Sequence, residues 1–355
     1  MSEWDYAATG YGGLGMPESV EVDPSILTEP SPKILLMGSR RSGKSSIYRV
    51  LFSKMSPHET LFLDSTNALE ISRIANNKLI TFQIWDFPGD FDPRGEFQYG
   101  DAVVGPATAY EGTTAVVICV DAQDELEGSH LQRIVDTAAV ASEVNPNVQL
   151  HIFIHKVDGD LFPSEDEKLE TKTNLHSLIS DHLEENNIHI PFTYSLTSIY
   201  DNSISECFSK VVQKLIPTYH VLENLLNTLN SNCNLEKSFI FDVMSKLYLA
   251  TDSSPVDLQT HELCSDMIDV VIDISGIYGR VTDLGGRVGV QAYDAASSSA
   301  IKLSNGMVIY LREVSTSLAL VCMVREKNFR KRGLIDYNID TFKQALSEIF
   351  DDKKA

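Results

Sequence analysis

The sequence predicts an α/β domain with a mostly parallel six-stranded sheet covered by helices on both faces, followed by an α+β domain with an antiparallel sheet. Three observations carry this expectation. Up to Pro217, short apolar runs alternate with segments of helical spacing, as expected for strands joined by crossover helices. A glycine-rich loop lies between the first such strand and the first helix. Past Pro217 the alternation stops, and strand-like runs cluster around a hairpin signal.

The elements follow in order. Residues 1–32 are rich in Gly, Pro, Ser and acid, and are expected to be disordered. Lys33 to Met37 is a short apolar run ending at a glycine, hence a buried strand. Ile47, Val50, Leu51 and Met55 give Ser45–Met55 the spacing of a helix. Leu69–Ile74 and Leu79–Trp85 read as two strands around the turn Asn76-Asn77-Lys78. Thr114–Val120, Leu150–His155 and Pro191–Ser195 read as further strands. They alternate with helices over Leu126–Val144, which stops at Asn145-Pro146, over Glu165–Asn186, and over Ile204–Ile216. These make residues 33–216 one domain.

Residues 217–351 make the second. Tyr219–Leu229 is an amphipathic helix, Ser238–Ala250 holds strand-like runs, and Val256–Ile274 is a long helix. Ile301–Leu303 and Met307–Leu311 flank Ser304-Asn305-Gly306 as a hairpin. Ser317–Val324 is a third strand and Ile339–Phe350 a closing helix. Asp283–Ser299, with Gly285-Gly286 and Ser297-Ser298-Ser299, reads as a mobile loop.

The chain has 355 residues, 43% of them hydrophobic, which suffices for two cores. No run of about 18 apolar residues predicts a membrane span. The N-terminal residues lack the pattern of a secretory signal, and neither end carries a lipidation motif. The 5 cysteines are scattered, which fits a reducing compartment better than a disulfide frame or a zinc site. The net charge of −21 disfavours nucleic acid and an anionic membrane face, so any membrane residence needs a protein scaffold.

Gly38-Ser39-Arg40-Arg41-Ser42-Gly43-Lys44-Ser45 matches G-x-x-x-x-G-K-[ST] at every fixed position. Its backbone N–H groups and the following helix N-terminus suit phosphate oxygens. Lys44 is expected to reach the β- and γ-phosphates, and Ser45 to ligate Mg²⁺. Asp86-Phe87-Pro88-Gly89 gives D-x-x-G at a strand end, where Asp86 can hold Mg²⁺ and Gly89 can offer its N–H to a γ-phosphate. Thr66 is the best candidate for the second hydroxyl ligand, with an ordinary loop threonine as the competing reading. His155-Lys156-Val157-Asp158 follows another strand. A carboxylate is acceptor-only and takes both N1–H and N2–H of guanine, whereas adenine leaves it without donors. The Lys156 stem can lie over the base, and N–H groups of Leu196-Thr197-Ser198-Ile199 can meet the guanine O6.

These runs resemble the Rag family of small G proteins, of the C/D type. The resemblance rests on the phosphate loop with Arg40-Arg41, on Thr60-Leu61-Phe62-Leu63-Asp64-Ser65-Thr66-Asn67, and on Phe82 to Gly89. It continues through His155 to Gly159, Leu196 to Asp201, Phe208 to Pro217, Ala250 to Asp257 and Gly333 to Asn338. It implies GTP or GDP with Mg²⁺, held by Arg41, Ser42, Gly43, Lys44, Ser45, Ser46, Thr60, Asp64, Thr66, Gly89, His155, Lys156, Asp158, Ser198 and Ile199. It implies a Roadblock-type second domain pairing with a Rag A/B-type GTPase. Docking on a Ragulator-like or EGO-like scaffold at the cytoplasmic face of the lysosome or vacuole, amino-acid signalling to the TOR kinase complex, and a folliculin-type activator are implied as well.

Two departures stand out. His155 takes the place of Asn in N-K-x-D, and Asp90 takes the place of the Gln that orients water in Ras-like proteins. As the one candidate for a catalytic position, Asp90 can only accept hydrogen bonds when ionised, and it adds negative charge beside a γ-phosphate. Phe91–Gly112 also drifts from the family pattern, so the second switch is expected to be rearranged. The main expectation is a slow regulatory GTPase. The alternative is a hydrolysis-deficient scaffold subunit with nucleotide as structural ligand, and a third reading, an ATP-dependent P-loop kinase, is disfavoured by His155-Lys156-Val157-Asp158. The Glu165-Asp166-Glu167 cluster reads as a solvated helix start, Asp121 as a strand-end turn residue, and His182, His189 and His261 as histidines without metal partners.

Overall fold

Lys33–Gly38 forms β1, and its position at the centre of the first sheet follows from its composition, since every one of its residues is buried. The computed structural model describes residues 24–352 apart from 125, 127, 160–161, 279–280, 285–286, 291–297 and 316. After β1 come α1 (Lys44–Ser53), β2 (Glu70–Ile74), β3 (Phe82–Asp86), β4 (Phe97–Tyr99), β5 (Ala102–Val104) and α2 (Pro106–Tyr110). Then follow β6 (Thr113–Asp121), α3 (Ser129–Val144), β7 (Gln149–His155), α4 (Glu165–Glu185), β8 (Phe192–Thr197) and α5 (Ser203–Gln213). The sheet order is β2-β3-β1-β6-β7-β8, parallel except for β2 against β3.

Alternate residues along these strands feed two cores, as the strand period of two requires. Ile34, Leu36, Val117 and Phe153 pack with Ile47, Leu51 and Phe208 of α1 and α5. Leu35, Met37, Val116, Ile118 and Ile152 pack with Leu131, Ile134, Val135 and Ile179 of α3 and α4. Phe208 is fully buried and edges onto Phe52 and Phe153, so truncating it to Ala costs about 3–5 kcal/mol. The acidic run Glu165-Asp166-Glu167 forms the first turn of α4, where Ser164 and Glu167 make a reciprocal capping box.

The second half contains α6 (Tyr219–Cys233), β9 (Leu235–Asp242), β10 (Tyr248–Thr251), α7 (Leu258–Tyr278), β11 (Val281–Leu284), β12 (Arg287–Val290), β13 (Ser298–Lys302), β14 (Met307–Ser315), β15 (Leu318–Arg325), α8 (Glu326–Phe329) and α9 (Arg332–Asp352). Its antiparallel sheet runs β10-β9-β15-β14-β13. Phe239, Phe241 and Val321 meet Cys264, Met267 and Ile268 of α7 on one face. Ile240, Leu320 and Val324 meet Leu226, Leu229, Ile339 and Phe342 of α6 and α9 on the other. This second face is continuous with the core around Phe208, so one apolar cluster crosses from the first sheet to the second. Polar contacts cross the same seam: Tyr248 N donates to Ser209 Oγ at 3.0 Å, and Asn77 Nδ2 to Asp242 Oδ1 at 2.9 Å.

Three expectations need correction, and one segment carries elements that the sequence did not indicate. Residues 24–32 are ordered: Pro24–Thr28 is a 3-10 helix, and Ile26 and Leu27 pack on the core that holds Leu35 and Met37. The buried Gln83 explains this, because its Nε2 needs an acceptor and finds the Ile26 carbonyl at 2.9 Å. Residues 1–23 lie outside the described residues. β3 starts at Phe82 rather than Leu79, since Asn77 Oδ1 accepts from the N–H groups of Leu79 and Ile80 and removes them from the ladder. Phe91–Gly112 contains a hairpin, β4–β5, and the short helix α2, which no pattern had indicated. The expected loop Asp283–Ser299 overlaps the paired strands β11 and β12 and the start of β13, while residues 285–286 and 291–297 lie outside the described residues. No helix among the described residues is long and apolar enough to cross a membrane.

Candidate functional site

The parallel register of the first sheet brings its chemistry to one edge. Asp121, His155 and Thr197 end β6, β7 and β8 side by side, and Asp86 ends β3 beside Leu36 of β1. This is the carboxyl edge, where open α/β sheets take ligands. A cleft of ≈ 570 Å³ opens there. Its lining includes the predicted residues Arg41, Gly43, Lys44, Ser45, Ser46, Thr60, Asp64, Thr66, Gly89, His155, Lys156, Asp158 and Ile199. Ser42, Asp86, Asp90 and Ser198, also predicted, stand behind or beside that lining.

At the phosphate end the loop is bent by two glycines at φ 138° and 99°, Gly38 and Gly43. A Cβ on Gly43 would stand 2.5 Å from His155 Cδ2, so the loop lies directly on the histidine ring. Lys44 is buried, and its Nζ donates to the carbonyls of Gly38 at 3.0 Å and Ser39 at 2.8 Å. Burial holds its pKa below that of a solvated lysine, which places a poorly solvated cation inside a loop suited to anions. Ser42 is fully buried, and its Oγ has no hydrogen-bond partner among the described residues.

Ser45 Oγ lies 2.7 Å from Thr66 Oγ1 and 2.5 Å from Asp86 Oδ2. The threonine thus comes from a loop to meet the P-loop serine. Burial, partly opposed by the Ser45 hydrogen bond, pushes the Asp86 carboxyl up to about 6. Its Oδ1 is buried with no hydrogen-bond partner among the described residues. Two hydroxyls and a poorly solvated carboxylate, all oxygen donors, fit a small hard cation. Thr60 lines the cleft, but its hydroxyl donates to the Pro57 carbonyl at 2.7 Å and is committed to its own turn.

At the other end, Asp158 Oδ1 accepts from the Ser198 hydroxyl at 2.6 Å. A carboxylate has acceptor capacity for more than one donor, so Ser198 orients Asp158 without exhausting it. The Ser198 N–H goes to Ser203 Oγ at 2.9 Å, so Ser198 braces Asp158 rather than offering its own amide. Ile199 remains in the lining. His155 is 1% exposed, pairs with Thr197 Oγ1 at 3.0 Å, and burial pushes its pKa down to about 4, so the ring is neutral at pH 7. A neutral, buried ring in the Asn position therefore supports the loop at Gly43.

Sequence reasoning missed three contributors. Asp121 is no bare turn residue: Lys156 Nζ reaches its Oδ2 at 2.5 Å and the Arg41 carbonyl at 2.6 Å. Gln123 lines the cleft and donates from Nε2 to the Lys156 carbonyl at 3.2 Å. Arg133 of α3 donates to the Gly89 carbonyl at 2.5 Å and stands 4.0 Å from Asp90. A lone acid closing the apolar run Ala115–Val120 of β6 was the one available signal for Asp121. Asp90 itself is 71% exposed and faces both Arg133 and Arg40, which offsets the repulsion expected from its charge alone.

Most of the chain is similar to known GTP-binding proteins. Residues 33–268 match the Gtr1/RagA G protein conserved region. Ras-related GTP-binding protein C of Mus musculus is 50% identical over 90% of this chain and 77% of its own length. GTP-binding protein gtr2 of Schizosaccharomyces pombe is 46% identical over 90% of this chain and 98% of its own. GTP-binding protein GTR2 of Saccharomyces cerevisiae is 35% identical, covering 92% and 95%.

Proposed function

Since this chain belongs to the Gtr1/RagA family of G proteins, and within it to the Rag C/D type, we propose that it is the guanine-nucleotide switch subunit of a heterodimer. The single observation that carries this reading is the layout of one cleft. The Ser45–Thr66–Asp86 cluster lies at one end of it and Asp158, with Lys156, at the other. The loop N–H groups and Lys44 hold phosphates, and Ser45 and Thr66, with Asp86 behind them, hold Mg²⁺. Mg²⁺, when bound, neutralises charge on the β- and γ-phosphates. Asp158 accepts from N1–H and N2–H of guanine, and Lys156 lies along the base.

The partner is a Rag A/B-type GTPase, met through the antiparallel second domain. The pair works in the cytoplasm and on the cytoplasmic face of the lysosome or vacuole, held by a Ragulator-like or EGO-like scaffold. It reports amino-acid supply to the TOR kinase complex and takes a folliculin-type activator. These statements rest on the family resemblance, and the net charge of −21 supports recruitment by a protein rather than by lipid. The test is co-purification from cells followed by nucleotide extraction. The reading predicts one Rag A/B-type partner per chain and one guanine nucleotide on this subunit; a monomer, or bound adenine nucleotide, contradicts it.

One observation favours a second reading, in which the nucleotide is a structural ligand and turnover is negligible. Asp90 holds the position of the water-orienting Gln and stands 71% exposed outside the cleft lining. Single-turnover GTP hydrolysis, with and without an activator, separates the two.

A further inference from the structure

Arg40 lies in the phosphate loop, and its side chain reaches both segments that carry the expected γ-phosphate and Mg²⁺ contacts. Its Nη2 donates to Ser65 Oγ at 2.7 Å, and Ser65 is the residue before Thr66. Its Nη1 stands 3.9 Å from Asp90 Oδ2, and Asp90 is the residue after Gly89. The backbones are equally close: a Cβ on Gly89 would stand 2.3 Å from Arg40 Cα and 2.4 Å from Arg40 N. On the far side, Arg133 holds the Gly89 carbonyl and stands 4.0 Å from Asp90 Oδ1.

From this arrangement we infer that Arg40 is a positioning residue that ties the two switch segments together and makes the site selective for a triphosphate over a diphosphate. The inference rests on the reading of the cleft as a guanine-nucleotide site. A γ-phosphate brings negative charge between Thr66 and Gly89, next to the Asp90 carboxylate. Two anions in that space repel each other, and a guanidinium on the rim, with five donors in a fixed fork, offsets both at once. A diphosphate brings no charge to that place and makes no such demand. At 57% exposure the Arg40–Asp90 contact alone contributes little to stability. Its effect is therefore expected in nucleotide choice and not in folding.

The test uses the full-length chain in complex with its partner and measures GTP and GDP affinity in Mg²⁺ for wild type, Arg40→Ala, Arg40→Lys, Asp90→Asn and the double variant Arg40→Ala/Asp90→Asn. Arg40→Ala lowers the GTP:GDP affinity ratio roughly three- to tenfold, the scale of one partly solvated charge-assisted contact. Arg40→Lys keeps the charge without the fork and recovers part of that loss. Removing the Asp90 charge in the double variant also recovers part of it, because the repulsion that Arg40 offsets is gone. The thermal midpoint stays within the wild-type range throughout. An unchanged ratio in Arg40→Ala, or equal losses of GTP and GDP affinity, overturns the inference while leaving the site reading intact. A wild-type complex that binds neither nucleotide overturns the site reading and the inference with it.

Discussion

The Lys156 ammonium stands 2.5 Å from the Asp121 carboxylate, which is 9% exposed at the end of β6. The contact fixes a long side chain that otherwise has full rotamer freedom, and it holds Lys156 in the lining of the cleft. A second hold on the same ammonium, the Arg41 carbonyl at 2.6 Å, ties the base end to the phosphate loop.

Asp121→Asn is therefore expected to weaken GTP and GDP binding alike, by about tenfold, the scale of one charge-assisted hydrogen bond. The GTP:GDP ratio stays as in wild type, because the lesion lies at the end of the cleft that both nucleotides share. Equilibrium titration with the two nucleotides checks both points, and a selective loss of GTP would place Lys156 elsewhere.

Ser45→Asn acts at the opposite end. It removes the hydroxyl that meets Thr66 Oγ1 and Asp86 Oδ2, so the residues that would hold Mg²⁺ lose one oxygen donor, and the charge neutralisation that Mg²⁺ would supply to a triphosphate suffers most. GTP affinity falls more than GDP affinity. Titrations in Mg²⁺ and in chelator read the effect, and equal affinities of variant and wild type for Mg·GTP remove Ser45 from the site.

His155 gives a pH dependence with a definite sign. Burial, and after it the Lys156 charge, pushes its pKa from 6.5 down to about 4, against the smaller opposing pull of Asp158 and Asp121. The unfolded chain thus binds the proton more readily than the folded one. The folded state keeps its full stability above pH 6.5 and loses it as pH falls towards 4, by about 3 kcal/mol from this residue. His155→Asn carries no such proton, so its stability should fall less steeply over that window. Denaturant unfolding of both proteins at several pH values measures the difference, and parallel acid profiles would contradict the assignment.

The sequence made some of this site legible and hid the rest for physical reasons. The phosphate loop, D-x-x-G and H-K-x-D are contiguous, and each follows an apolar strand whose pattern is readable by itself. The strand order then delivers them to one edge without further information. Thr66 was ambiguous because a loop threonine has no pattern, and only the fold brings its hydroxyl within 2.7 Å of Ser45 Oγ. Asp121 and Arg133 act through partners 35 and 44 residues away, and no local spacing encodes such contacts. Residues 24–32 looked disordered by composition, yet a buried glutamine on β3 recruits the Ile26 carbonyl. The β4–β5 hairpin was hidden because each strand has three residues, and its anchors Phe97 and Tyr99 enter the aromatic cluster around Phe87 and Phe91.

The account depends most on Asp158 reading the base. Competition between GTP and XTP for wild type and Asp158→Asn tests this directly, because xanthine replaces the guanine amino group with an oxygen that the variant amide can donate to. Wild type is expected to prefer GTP, and the variant to lose about 1.5–3 kcal/mol of GTP binding for each charge-assisted hydrogen bond removed while gaining XTP. A variant that keeps full GTP affinity and ignores XTP would show that another residue reads the base, and the assignment of this cleft would fail.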